Sequence, residues 1–130
     1  MSTNPYIILV DDNEIDLFLH EKLIRLSGIS DNIDRFTTAR EALDFIRKKG
    51  PLPDIILLDI QMPELDGFDF LREYEHIEHI DRENTTIFMV SSSLDFGDIS
   101  KAKANPLVKS FIKKPLNVKE LKDEISTSAN

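Results

Sequence analysis

Asp54-Ile55-Ile56-Leu57-Leu58-Asp59-Ile60-Gln61-Met62-Pro63-Glu64-Leu65-Asp66-Gly67 sets four consecutive apolar residues between two aspartates, with Pro63 and Gly67 beyond them. A short apolar run bounded by turn residues reads as a buried strand. That strand delivers Asp59 to its C-terminal end. In open parallel sheets, ligands and chemistry sit in the crevice outside those ends. A carboxylate placed there is a candidate nucleophile or metal ligand.

Working outward, Tyr6-Ile7-Ile8-Leu9-Val10 is a second continuously apolar run, ending in Asp11-Asp12-Asn13-Glu14. Its pattern suits a central parallel strand covered on both faces. A helix is expected from Glu14 to about Ser27, with Asn13 as N-cap, Gly28 as stop, and Ile15, Phe18, Leu19, Leu23 and Leu26 at helical spacing. Ile33 to Phe36 is a short strand interrupted by Asp34 and Arg35, which an edge position would explain. The next helix starts near Thr38, turns Ala39, Ala42, Leu43 and Ile46 to one side, and ends at Lys48-Lys49-Gly50 before Pro51 and Pro53.

Beyond the opening stretch, Met62 to Gly67 reads as a loop, with Asp66-Gly67 as turn chemistry, and a helix follows with Phe68, Leu71, Tyr74 and Ile77 inward. His76 to Asn84 is expected to be the helix end plus a surface loop tolerant of change. Thr86 to Val90 is a strand, and Asp95 to Ala104 a weakly amphipathic helix with Ile99 and Ala102 as its main apolar residues. Val108 to Ile112 is the last strand, and Asn117 to about Ser126 the last helix, with Val118, Leu121 and Ile125 inward. Five strands alternating with five helices imply an α/β domain with a five-stranded parallel sheet and right-handed crossovers. A flavodoxin-like strand order of 2-1-3-4-5 would place Asp11 and Asp12 beside Asp59 at the switch point.

The chain has 130 residues, enough for one core, divided here as a tail over 1–5, a domain over 6–126 and a frayed tail over 127–130. Without cysteine, disulfides and thiolate metal sites are excluded. The absence of a long apolar span or signal-like N-terminus points to a soluble cytoplasmic protein with no membrane association. A net charge of −8 argues against direct nucleic acid binding.

Three carboxylates converging on one crevice repel one another and need a cation. Oxygen-only ligands favour a hard divalent ion, and a few carboxylates plus water suit Mg2+. With such a metal, Asp59 could attack a phosphoryl group and form an aspartyl phosphate. Ser91 closes the fourth strand with a hydroxyl, and Lys114 closes the fifth with a point charge suited to phosphate. Pro115 restricts the backbone of Lys114, and a cis bond between them would be one way to aim the ammonium inward.

With these residues in this order, the chain resembles the receiver domain of two-component response regulators. The acidic pair Asp11-Asp12, Asp59 in Leu57-Leu58-Asp59-Ile60-Gln61-Met62-Pro63, Asp66-Gly67, Ser91 and Lys114-Pro115 carry the resemblance over about residues 5 to 126. It implies that Asp59 accepts a phosphoryl group from a phosphohistidine on a sensor histidine kinase or histidine phosphotransfer protein. Asp12, Asp59 and the main-chain carbonyl of Gln61 would bind Mg2+ directly, and Asp11 mainly through water. Lys114 and Ser91 would contact the phosphoryl group. Phe111 stands where the family often carries Tyr, so a switch using that hydroxyl is excluded. Gln61 and Ser93 occupy positions at which the family tunes dephosphorylation.

The resulting expectation is a single-domain regulator, with no output domain, whose fourth helix, fifth strand and fifth helix change on phosphorylation and signal to a downstream protein target. Self-pairing as a homodimer is left open. It would act on itself alone and turn over no separate substrate as an enzyme. The competing reading is a phosphorylation-independent interaction module on the same fold. A flavin-binding role is disfavoured because Asp11-Asp12-Asn13-Glu14 would repel the flavin phosphate. An aspartyl hydrolase usually has an acid-base aspartate where this chain has Gln61. His20, His76 and His79 are expected on the surface, and Lys113 as a solvated neighbour of Lys114.

Overall fold

A computed structural model describes residues 4–48, 50–92 and 95–128. Its elements are β1 (Ile7–Val10), α1 (Glu14–Ser27), β2 (Ile33–Phe36), α2 (Ala39–Arg47), β3 (Ile55–Asp59), α3 (Gly67–Tyr74), a 3-10 turn (Arg82–Asn84), β4 (Thr86–Ser91), α4 (Phe96–Ala104), β5 (Val108–Lys113) and α5 (Val118–Ser128). The sheet is parallel with strand order β2-β1-β3-β4-β5, so β2 lies on an edge as its two charged residues demand. The α5 helix runs two residues beyond the expected end at Ser126. Lys49, expected at the end of α2, and Ser93 lie outside the described residues.

Alternation along the central strands splits the core into two layers. Ile8, Val10, Ile56, Leu58, Ile87 and Met89 pack with Ala42, Leu43 and Ile46 of α2 and Phe70 and Leu71 of α3. Ile7, Leu9, Ile55, Leu57, Phe88 and Val90 pack on the opposite side with Leu17 and Ile24 of α1 and Leu121 of α5. Because both faces are covered, the strands carry no polar alternation, and this is why they read as unbroken apolar runs.

The termini of α1 are where its caps place them. Asn13 accepts from the backbone N–H groups of Ile15 and Asp16, and Gly28 closes the helix at φ 82°. Its rotation turns four of the five residues noted at helical spacing towards solvent. Ile15, Phe18, Leu19 and Leu26 are 76, 58, 41 and 77% exposed, while Leu17, His20 and Ile24 are buried. Apolar residues occupy both sides of this helix, so periodicity alone does not choose between them. The cap at the end of β1 and the long-range ion pairs of Asp16 and Glu21 accompany the observed rotation. His20, expected on the surface, is therefore buried.

Two loops also differ from expectation. Between α3 and β4, Ile77 and Ile80 are buried and the Arg82 guanidinium donates to the carbonyls of Tyr74 and Ile77, so the segment is fastened rather than loose. Gly67 is more than a turn residue. A Cβ there would lie 2.7 Å from the Asp59 carbonyl oxygen, 2.7 Å from Met89 Cε and 3.0 Å from Ile60 Cα. Met89 can yield but the strand backbone cannot, so Gly67→Ala should cost about 1–3 kcal/mol. Urea unfolding should show a lower midpoint at unchanged m-value, and an unmoved midpoint would refute the close approach.

Candidate functional site

The C-terminal ends of β1 and β3 are hydrogen-bonded neighbours, which brings Asp11, Asp12 and Asp59 together. One carboxylate oxygen from each lies within 4.8 Å of the other two. Asp11 and Asp59 are buried, whereas Asp12 is exposed. Asp11 accepts from the Asn13 backbone N–H at 2.9 Å, which links the acidic pair to the cap of α1. Gln61 is exposed, and its backbone N–H donates to the Asp59 carboxylate.

Opposite them, the Lys114 ammonium donates to Asp11 Oδ2 and Asp16 Oδ2, each at 2.8 Å, and lies 3.7 Å from Asp59 Oδ1. The Lys114–Pro115 bond is cis. The Lys114 backbone N–H donates to the Ser91 carbonyl at 2.9 Å, tying the end of β5 to that of β4. Ser91 is 2% exposed at this junction. Phe111 is half-buried beside Met89, and Lys113 is exposed. His76 and His79 are exposed on the far side, away from the acidic cluster, with His76 Nδ1 bonded to the Arg72 carbonyl.

The electrostatics follow from this packing. Burial, then the charges of Asp11 and Asp12, push the Asp59 carboxyl up to about 7, against the opposing pull of Lys114 and the Gln61 N–H. For Lys114, burial alone would favour the neutral amine. Its bonds to Asp11 and Asp16 and the charges of Asp59 and Asp11 outweigh this and raise its pKa. His20, on the α1 face turned towards this cluster, is lowered by burial and by the Lys114 charge, against Asp11 and Asp16.

Neither Asp16 nor His20 was among the expected site residues. A signal for Asp16 existed, since it lies in the first turn of the helix that follows the acidic pair, but only the rotation of α1 reveals where its carboxylate goes. The donor set fits a hard divalent cation. It is all oxygen, carries surplus negative charge, and holds one carboxyl that strains against ionisation.

A doubly wound parallel sheet with acids and a lysine gathered at its switch point defines a class of open α/β proteins whose chemistry sits at the strand ends. Within that class, residues 7–126 match the family model described as the response regulator receiver domain. This chain belongs to that family, a family of signalling proteins. It is 31% identical over 124 residues to the probable methanogenesis regulatory protein FilR2 of Methanothrix harundinacea, covering 92% of this chain and 78% of that one. It is 32% identical over 115 residues to the polar-differentiation response regulator DivK of Brucella ovis, covering 86% and 85%. Among solved structures, a response regulator receiver protein from Dyadobacter fermentans superposes with a TM-score of 0.86 at 37% identity, covering 94% of this chain and 95% of that one. A two-component response regulator from Cytophaga hutchinsonii gives 0.90 at 26% identity over 99% of both. No helix among the described residues is long and apolar enough to cross a membrane.

Proposed function

We propose that residues 6–126 work as a phosphoryl-accepting switch in which Asp59 is the nucleophile. The observation that carries this reading is a buried Asp59 carboxylate flanked by the oxygens of Asp11 and Asp12, with the Lys114 ammonium 3.7 Å away. The donor is a phosphohistidine on a sensor histidine kinase or a histidine phosphotransfer protein. An Asp59 oxygen forms the new O–P bond as the P–N bond of the protonated phosphoimidazole breaks, and the electron pair leaves with the ring nitrogen as neutral imidazole.

Asp11, Asp12, Asp59 and the Gln61 carbonyl are the residues that would hold Mg2+. When bound, the ion supplies neutralisation of the carboxylates and of the phosphoryl oxygens. Lys114 takes one phosphoryl oxygen by a charge-assisted hydrogen bond, and the Ser91 hydroxyl takes another. The α4 helix buries only Ala102. An element with so few anchors is suited to shift when Ser91 and Lys114 are drawn towards Asp59, and Phe111 can follow by rotating its ring. The altered α4, β5 and α5 surface then meets a downstream protein target.

Incubation of the protein with acetyl phosphate, with and without Mg2+, followed by rapid quench and intact-mass measurement tests this. One added phosphoryl mass that depends on Mg2+ is expected. No adduct at any quench time would favour a phosphorylation-independent interaction module instead.

A further inference from the structure

Lys114 is claimed by more than one carboxylate, and the claims are unequal in kind. Asp11 and Asp16 both accept from its ammonium at 2.8 Å, while Asp59 at 3.7 Å is beyond a hydrogen bond. An ammonium has three N–H donors. Two are committed to Asp11 and Asp16, and a third remains for the Asp59 side of the crevice.

Of the two close partners, Asp11 belongs to the acidic triplet that would face a divalent cation, and a cation there competes with Lys114 for its oxygens. Asp16 does not belong to that triplet. It stands in the first turn of α1, where the Asn13 side chain accepts from its backbone N–H at 3.1 Å, and it is half-buried. The cap therefore fixes the Asp16 backbone while its side chain reaches across to Lys114, the residue just past β5.

Resting on the reading of Asp59 as phosphoacceptor, we infer that Asp16 is a positioning residue. It is the metal-independent anchor that keeps the Lys114 ammonium oriented towards the incoming phosphoryl group once the cation has engaged Asp11. The bland role for an acidic residue in a first helical turn is to complement the helix dipole. That role makes a different prediction, because it touches stability and leaves Lys114 alone.

The test compares wild type with Asp16→Asn, which keeps the size and removes the charge, and with Asp16→Glu, which restores the charge. Three quantities are measured: Mg2+ affinity by calorimetry, the phosphorylation rate with acetyl phosphate at saturating Mg2+, and the side-chain ammonium 15N signal of Lys114 in the Mg2+-loaded protein. Asp16→Asn should slow phosphorylation on the order of tenfold through misorientation of one contact. Its Mg2+ affinity should stay within about twofold of wild type, because it is no ligand. The ordered Lys114 ammonium signal should broaden or vanish. Asp16→Glu should recover most of the rate. An Asp16→Asn protein that phosphorylates at the wild-type rate, or that loses rate only in proportion to lost Mg2+ affinity, overturns the assignment. If wild type itself takes no phosphoryl group, the reading of Asp59 fails. The Lys114 signal then decides the anchor separately: its survival in Asp16→Asn overturns the inference, and its loss upholds the anchoring.

Discussion

Asp59→Asn is expected to gain no phosphoryl mass from acetyl phosphate under conditions that label wild type, and in the same samples to be the more stable protein when divalent cations are removed. The two effects have one origin. In the folded chain the Asp59 carboxyl titrates near 7, against an ordinary value of 3.8, because burial and the charges of Asp11 and Asp12 oppose its ionisation. Between about pH 4 and pH 7 the folded state thus binds a proton that the unfolded state has released, so this group's contribution falls as pH rises and its penalty is complete above 7. Asparagine carries no such penalty. The variant should exceed wild type by about 2–4 kcal/mol at pH 8, with the difference vanishing near pH 4. Urea unfolding at several pH values in a chelator, together with intact mass after phosphodonor treatment, measures both. A variant that is inactive and also less stable at pH 8 would mean that its inactivity reports misfolding and would remove the support for Asp59 as nucleophile.

Lys114→Met should produce the opposite change in stability. Methionine keeps most of the stem but leaves Asp11, Asp16 and Asp59 without the ammonium they share. Breaking a buried ion pair by deleting one partner costs about 3–5 kcal/mol. Here protonation of Asp59 relieves part of it, so a deficit of about 2–3 kcal/mol at pH 8 is expected. Without Lys114 the Asp59 carboxyl loses an interaction that lowers its pKa. The deficit should therefore shrink towards pH 5, and millimolar Mg2+ should narrow it by supplying a replacement cation. Phosphorylation should slow on the order of a hundredfold through loss of a preorganised charge. A deficit equal at pH 5 and pH 8 and indifferent to Mg2+ would show that packing of the lysine stem matters rather than its charge.

What could be read before folding and what could not have separable causes. Asn13 and Gly28 bounded α1 because capping is a local matter of one side chain and one backbone angle. The inward face of α2 was legible because Ala39, Ala42, Leu43 and Ile46 form an apolar stripe, and apart from Phe45, which packs at its margin, the other positions are charged. The acidic triplet could be assembled because alternation and handedness leave few strand orders, and the order the sheet adopts, one of those few, makes β1 and β3 neighbours. The face of α1 was not legible, since its apolar side chains occupy both sides. Asp16 and His20 were missed with it. The left-handed Glu64, at φ 67°, and the close approach at Gly67 belong to a loop path that only three-dimensional packing determines.

The outward stripe of α1 has a bearing on how such a chain can diverge. Ile15, Phe18 and Leu26 keep most of their surface in water after folding and Leu19 keeps 41%, so their apolar surface contributes little to holding the helix on the sheet. Leu17, His20 and Ile24, with the two caps, do that instead. Folding therefore exerts almost no selection on the four outer positions, although they rise from the rim of the acidic crevice along one helix. Two descendants of this chain could differ at every one of them and unfold at the same temperature.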